Sequence, residues 1–287
     1  MNKGVHAVAV VAGSTWRHGT VNAVPVVSDK LVYLELQKTA CTTIGAILED
    51  LFDAEHVAPK HGTLPDPATT KVVVGSVRNP WDYYLSLWAF GCQGRGNFHR
   101  VVTNHHWPAV GAHRFAPGRV LAELTRPVGR WRALYAEPHT AERFRAWLVR
   151  VHTPSHGGEF EPEYGSSALC RFAGYATYRY CRLYSGDLAG VLGSRSPAEL
   201  SASVEGSYLP RAVIRMEHLA DDLLTAVRTA GYEVGDELEH AVRERATTRT
   251  NVSSHGSYTD YYDDSTRDLV ERRDQLVVAR HGYRFGA

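Results

Sequence analysis

Two short segments hold the residues best suited to chemistry. The first is Gln37-Lys38-Thr39-Ala40-Cys41-Thr42-Thr43. It follows Leu31 to Leu36, which reads as a strand. It precedes Ile44, Ile47, Leu48 and Leu51, whose i, i+3, i+4, i+7 spacing marks one face of a helix. A loop between a strand and a helix offers backbone N–H groups and a helix N-terminus to an anion. Lys38 adds a mobile positive charge, and Thr39, Thr42 and Thr43 add hydroxyl donors. The small residues Ala40 and Cys41 let a phosphate approach the backbone. An ordinary strand-to-helix turn with a capping threonine would use the same residues, and the GxxxxGK[ST] phosphate loop is absent.

The second segment begins at Arg78. It follows Lys71 to Val77, whose continuous Val72-Val73-Val74 run suits a parallel strand covered on both faces. Asn79 is a helix-capping residue and Pro80 fits a first turn. Trp81, Leu85 and Trp88 then form an apolar stripe, and Ser86 shares a stripe with Asn79 and Asp82. An arginine can grip a phosphate through two parallel hydrogen bonds, and a serine hydroxyl can add a third. Taken alone, this is a surface arginine and a helix serine. In a parallel sheet, however, ligands gather outside the carboxyl ends of the strands, so both segments should face one crevice.

Together these segments resemble the PAPS-dependent sulfotransferase family (PAPS is 3′-phosphoadenylyl sulfate). Its 5′-phosphosulfate loop reads like PKTGGTS or QKTGGTT after a strand, and Gln37 to Thr43 stands in that place. Its 3′-phosphate motif is a Val-Arg-Asp/Asn-Pro-Tyr/Trp run with a serine a helical turn further on, matched by Val77 to Trp81 with Ser86. Asn251-Val252-Ser253-Ser254-His255, Tyr258, Tyr261-Tyr262-Asp263 and Gly282-Tyr283-Arg284-Phe285 look like the tail of bacterial members. Arg215 to Leu219 and Asp221-Asp222-Leu223 look like theirs too. The family's paired glycines are Ala40-Cys41 here. A side chain at position 41 narrows the approach to a phosphosulfate and would expose Cys41 to oxidation or alkylation.

The resemblance implies an α/β fold: a P-loop-like three-layer domain with a central, mainly parallel sheet flanked by helices, plus helical and loop insertions. It implies a single domain over 1–287, with 92–210 an insertion and acceptor-binding region. It implies transfer of a sulfuryl group from PAPS to an acceptor hydroxyl on a sugar, lipid or secondary metabolite, releasing PAP. Lys38 would contact the bridging or sulfuryl oxygens. Gln37, Thr39, Ala40, Cys41, Thr42 and Thr43 would line the 5′-phosphate, Arg78 and Ser86 the 3′-phosphate. The loop carrying Asn251, Ser253 and Ser254 would close over the nucleotide. The general base is assigned to His61, in Pro59-Lys60-His61-Gly62-Thr63, because imidazole titrates near neutrality; His56 and Glu55 are the fallback. Trp107, Trp131 and Trp147, and tyrosines 175, 178, 180 and 184, are candidates to line an acceptor pocket.

Composition restricts the alternatives. The net charge is +1 and charged residues make up 22%, which gives no global pull toward nucleic acid or an anionic membrane. Cys41, Cys92, Cys170 and Cys181 form no CxxC pair, and no metal ligand set stands out. Adjacent His105 and His106 would point apart. Reduced thiols, no apolar run of membrane length and a strand-like Val5 to Ala12 suggest a cytoplasmic protein. Two competing readings are a nucleotide-dependent phosphotransferase with a related P-loop fold and a non-catalytic PAP-binding protein.

Overall fold

The structure, a computed structural model, describes residues 25–56, 69–105, 123–137, 140–247 and 256–287. Five strands form one sheet: β1 (Pro25–Val27), β2 (Leu31–Leu34), β3 (Glu55–His56), β4 (Val72–Val77) and β5 (Ala212–Arg215), in the order β3-β1-β2-β4-β5. β2, β4 and β5 are parallel, with Leu34 opposite Gly75 and Ser76 opposite Ile214. β1 is antiparallel to both β2 and β3. The sheet is therefore mixed, which corrects the expectation of a mainly parallel one. The cause is local: only Ser28, Asp29 and Lys30 separate β1 from β2, and so short a link can close a hairpin but cannot carry a crossover. Ser28 closes that turn, with its N–H donated to Leu31 O (3.0 Å) and its Oγ accepting from Leu31 N (3.1 Å).

Strand alternation divides the core between the two faces of the sheet. Tyr33, Val74 and Ile214 face one way, toward helix α1 (Cys41–Phe52) and the helices Leu219–Thr229 and Asp236–Thr247. Val32, Leu34, Val73 and Val77 face the other, toward helix α2 (Pro80–Cys92). Helices thus cover both faces, and the α/β class expected from sequence is the class observed. The predicted face of α1 is inward, since Ile44, Ile47 and Leu48 are buried. Asn79 caps α2 as expected, its side chain accepting from Trp81 N, with Pro80 in the first turn. Gly231, at φ 87, ends the Leu219–Thr229 helix in the left-handed region where a side chain would be strained.

The stretch 92–210 reads from sequence as insertions around one clear helix. Its described part is mostly helical, including helix α3 (Asn97–Thr103) and the helices Val128–Tyr135, Ala141–His152, Tyr175–Tyr184 and Pro197–Ser207. Their aromatic residues pack onto α2: Phe144 lies 5.6 Å from Trp88 and Trp147 lies 6.5 Å from Tyr84, centroid to centroid. Many of these helices are too short to show a full apolar period, which hides them in the sequence. In the sequence, Leu269, Val270, Leu276 and Val277 read as one final helix; the structure has two, Asp264–Arg273 and Gln275–His281, broken at Asp274. That carboxylate is completely buried and accepts from Tyr84 Oη (2.9 Å) and Thr177 N (2.8 Å). Among the described residues, no helix is long and apolar enough to cross a membrane.

β4 has a glycine where it meets Tyr184. A Cβ on Gly75 would stand 2.8 Å from the Tyr184 ring, which is itself fully buried. Gly75→Ala should therefore lower the urea unfolding free energy by about 1–3 kcal/mol through overpacking; an unchanged midpoint would contradict this packing.

Candidate functional site

β2 and β4 are neighbours and run parallel, so the segments after them emerge side by side. Where they part, hydroxyls replace the strand ladder. Thr39 Oγ1 donates to Leu36 O (2.6 Å) and bonds Ser76 Oγ (2.6 Å), which bonds Tyr33 Oη (2.7 Å). Each hydroxyl has one proton. Because the Thr39 proton goes to a carbonyl, Ser76 must donate to Thr39 and Tyr33 to Ser76. Tyr184 Oη completes the junction, accepting from Ser76 N (2.7 Å) and lying within reach of Ser76 O (2.7 Å) and Leu34 O (3.3 Å). Thr39 is completely buried. Its hydroxyl is engaged with Leu36 O and Ser76 Oγ and folds the loop.

The loop pinned this way is tightly bent. Lys38 (φ 68) and Ala40 (φ 59) both occupy the left-handed region, where a side chain costs roughly 1–2 kcal/mol. Ala40 is the residue before α1, and no side chain caps that helix. The first-turn amides of Cys41, Thr42 and Thr43 therefore lie at an uncapped, positively poled helix end. Thr42 is exposed there, and Thr43 is buried. Gln37 Nε2 donates to Tyr83 Oη (3.3 Å), tying the loop start to α2. Burial, reinforced by neighbouring Glu35, pushes the Cys41 thiol up to about 11. It is thus protonated near neutrality, against the reactive thiolate suggested by its place in the sequence.

Arg78 lies directly against this loop. Its Nη1 donates to Lys38 O (3.3 Å), while Nε and Nη2 donate to Asp82 Oδ2 (2.8 and 2.6 Å). Three of the guanidinium's N–H groups are thus engaged, out of roughly five, so one hydrogen remains on each Nη. Asp82, Ser86 and Phe90 follow at helical spacing on one stripe of α2. Ser86 is buried on that stripe. Lys38 Nζ lies 3.8 Å from the Phe90 ring centroid, and the Arg95 guanidinium lies 4.8 Å from the same ring. Burial lowers the Lys38 amine to about 8, with Arg78 and Arg95 pushing the same way. Cations gathered around an uncapped helix end suit an oxyanion, which would relieve their mutual repulsion. The residues present therefore fit a phosphate or phosphosulfate group: the α1 amides and Lys38 at one end, and the spare Arg78 hydrogens at the other.

Segments distant in sequence converge on Asn79, next to Arg78. Its N–H donates to Glu217 Oε1 (2.7 Å), and its Nδ2 donates to Tyr258 Oη and Arg284 O (3.3 Å each). Tyr283 Oη also donates to Glu217 (3.1 Å), and Phe285 packs edge-on against Trp81 at 5.7 Å. Glu217, Tyr258 and the Gly282–Phe285 tail thus brace the start of α2. His61, Asn251, Ser253 and Ser254 lie outside the described residues, as do His106 and Trp107. The fallback His56 is described. Its Nδ1 bonds Glu49, and its Nε2 stands 3.7 Å from Glu35 Oε2. Its ring passes over Gly45 of α1, 3.4 Å from where a Cβ would stand. Sequence reasoning missed Glu35, a buried carboxylate directly after β2; the signal was a lone acid inside the apolar run Leu31 to Leu36. Trp131, Trp147 and tyrosines 175, 178, 180 and 184 are buried; of these, Tyr175 reaches Gln37 at the start of the loop and Tyr184 braces the junction beneath it.

Comparison with protein-family models, curated proteins and solved structures returned no match. The site therefore rests on its own geometry.

Two outcomes follow. Thr39→Val should destabilise the fold by about 1–3 kcal/mol by stranding the buried Ser76 proton, whereas Thr39→Ser should largely retain stability in the same urea titration. Acetylation of the Lys38 amine, followed by mass spectrometry across pH, should titrate with a midpoint near 8; a midpoint at the ordinary lysine value would contradict its desolvated setting.

Proposed function

We propose that this chain is a PAPS-dependent sulfotransferase of P-loop-like fold, transferring a sulfuryl group to an acceptor hydroxyl and releasing PAP. The observation that carries this reading is the pairing of the two anion-suited segments: Gln37–Thr43 and Arg78–Ser86 leave adjacent parallel strands and touch through the bond from Arg78 Nη1 to Lys38 O. PAPS supplies the activated sulfuryl group and a phosphate leaving group. The α1 amides hold its 5′-phosphate. Lys38, a cation in desolvated surroundings, stabilises negative charge developing on the leaving oxygen, an interaction strengthened where water is excluded. Arg78, oriented by Asp82, holds the 3′-phosphate together with Ser86.

A histidine after α1 takes the acceptor's proton. His61 has that role in this reading. His56 competes for it, favoured by its observed contacts with Glu35 and Glu49. The four cysteines are unpaired, in keeping with a cytoplasmic enzyme.

A ligand that binds only the folded state raises the unfolding midpoint with its concentration and affinity. PAP should raise that of the wild type and leave that of Arg78→Ala unmoved. No rise with PAP, together with a rise for ATP and Mg²⁺, would overturn the reading in favour of a phosphotransferase. With labelled PAPS and a responsive acceptor, the histidine acting as base is the one whose replacement by alanine lowers turnover at least about 100-fold while PAP binding persists.

A further inference from the structure

The ring of Phe90, on which Lys38 Nζ sits, also borders a second surface. The turn after α2 brings Arg95 over the same ring and Gly96 against its edge, since a Cβ on Gly96 would stand 2.8 Å from a Phe90 ring carbon. Gly94 (φ 69) and Gly96 (φ 91) make that turn at positive φ, where a side chain would be strained. Both glycines border a groove of about 670 Å³ along α3, to which the Val128–Tyr135 helix contributes Arg132.

The groove carries charge of one sign. Its lining holds Arg100 and Arg132 and no carboxylate. Both arginines are exposed, and each is anchored by another lining residue. Arg100 Nη2 donates to Asn97 Oδ1 (2.7 Å), and Arg132 Nε donates to Thr103 O (2.8 Å). Asn97, Arg100 and Thr103 follow one another at helical spacing on α3, so the two guanidiniums are held on one stretch of it. Their partners are neutral, and neither arginine pairs with a carboxylate among the described residues. Glu123 approaches the Asn104 end, but it is paired with Arg126, which also donates to Asn104 O. Arg132 keeps the hydrogens of both Nη groups, the fork that grips an oxyanion through two parallel bonds. Burial, with Arg132 pushing the same way, lowers the His99 imidazole below its ordinary value. The ring is thus neutral near pH 7 and can accept a hydrogen bond from a hydroxyl, while Asn97 Nδ2 can donate one.

We infer that this groove binds a sugar phosphate, its phosphate held by Arg100 and Arg132 and its hydroxyls by His99, Asn97 and Asn104. Two cations without a carboxylate match a phosphate dianion, where a monocarboxylate would leave one charge over. No hydrocarbon side chain lines the groove, so a lipid tail or a steroid ring finds no wall there. The volume lies in the range of roughly 300–1,000 Å³ usual for small-molecule sites. The position beside Phe90 gives the groove its role: under the sulfotransferase reading, on which that role rests, the occupant is the acceptor. The binding itself uses no residue of Gln37–Thr43 or Arg78–Ser86.

Glucose 6-phosphate is the probe, titrated by calorimetry into the full chain. It should bind saturably and one to one, at least about tenfold more tightly than glucose or inorganic phosphate. The double substitution Arg100→Gln and Arg132→Gln changes two exposed side chains, so the variant should unfold near the wild-type temperature and bind the probe at least about tenfold more weakly. Arg78→Ala should leave the probe's affinity unchanged, which separates the groove from the Lys38–Arg78 surface. Glucose 6-phosphate binding that depends on Arg100 and Arg132 in a protein that fails to bind PAP would sink the cofactor reading and leave the groove standing. No saturable binding at millimolar concentration, equal affinity for inorganic phosphate, loss of binding in Arg78→Ala, or unchanged affinity in the double variant would overturn the inference.

Discussion

The site depends on one junction, the point where β2 and β4 part. Paired strands lose their ladder as they diverge, and buried backbone groups left there must find other partners. Tyr184 provides one from the α2 side of the sheet, bonding Ser76 and Leu34 from a ring seated against Gly75. The Tyr33–Ser76–Thr39 chain, ending on Leu36 O, provides the other and folds the loop back on itself. Chains of hydrogen bonds in a low-dielectric interior polarise and strengthen one another. The left-handed conformations of Lys38 and Ala40 persist because this junction over-determines them.

The electrostatics follow from that fold. Bending the loop leaves α1 without a cap and brings Lys38 under the influence of Arg78 and Arg95. The only carboxylate bonded to Arg78 among the described residues is Asp82, one helical turn on, which aims the guanidinium and still leaves a hydrogen on each Nη. Such an arrangement is costly without a ligand and favourable with an oxyanion. Loss of the Lys38 proton above about pH 8 weakens it, so anion affinity should fall as pH rises through that value.

Much of this was legible in the chain. The strand–loop–helix units were written in the valine run, in the Ile44–Leu51 spacing and in the Asn79-Pro80 cap. The hairpin edge was not, because β1 is a three-residue strand and carries little periodicity. Thr39 reads as a ligand hydroxyl among three threonines; only the closeness of Ser76, fixed by strand register, shows that it faces inward. Glu217 and the C-terminal tail sit more than a hundred residues from Asn79 in the chain. Long-range convergence of that kind leaves no local pattern. The helices of 92–210 were obscured by their brevity and by intervening glycine and proline.

The central claim is that Arg78 and the Gln37–Thr43 loop grip the two ends of one nucleotide, and a calorimetric comparison of PAP with 5′-AMP tests it most directly. The two ligands differ only in the 3′-phosphate. The account predicts that PAP binds at least about tenfold tighter, the scale expected of a charge-assisted arginine contact, and that Arg78→Ala removes the difference while sparing 5′-AMP. Equal affinities in the wild type, or a difference that survives Arg78→Ala, would contradict it.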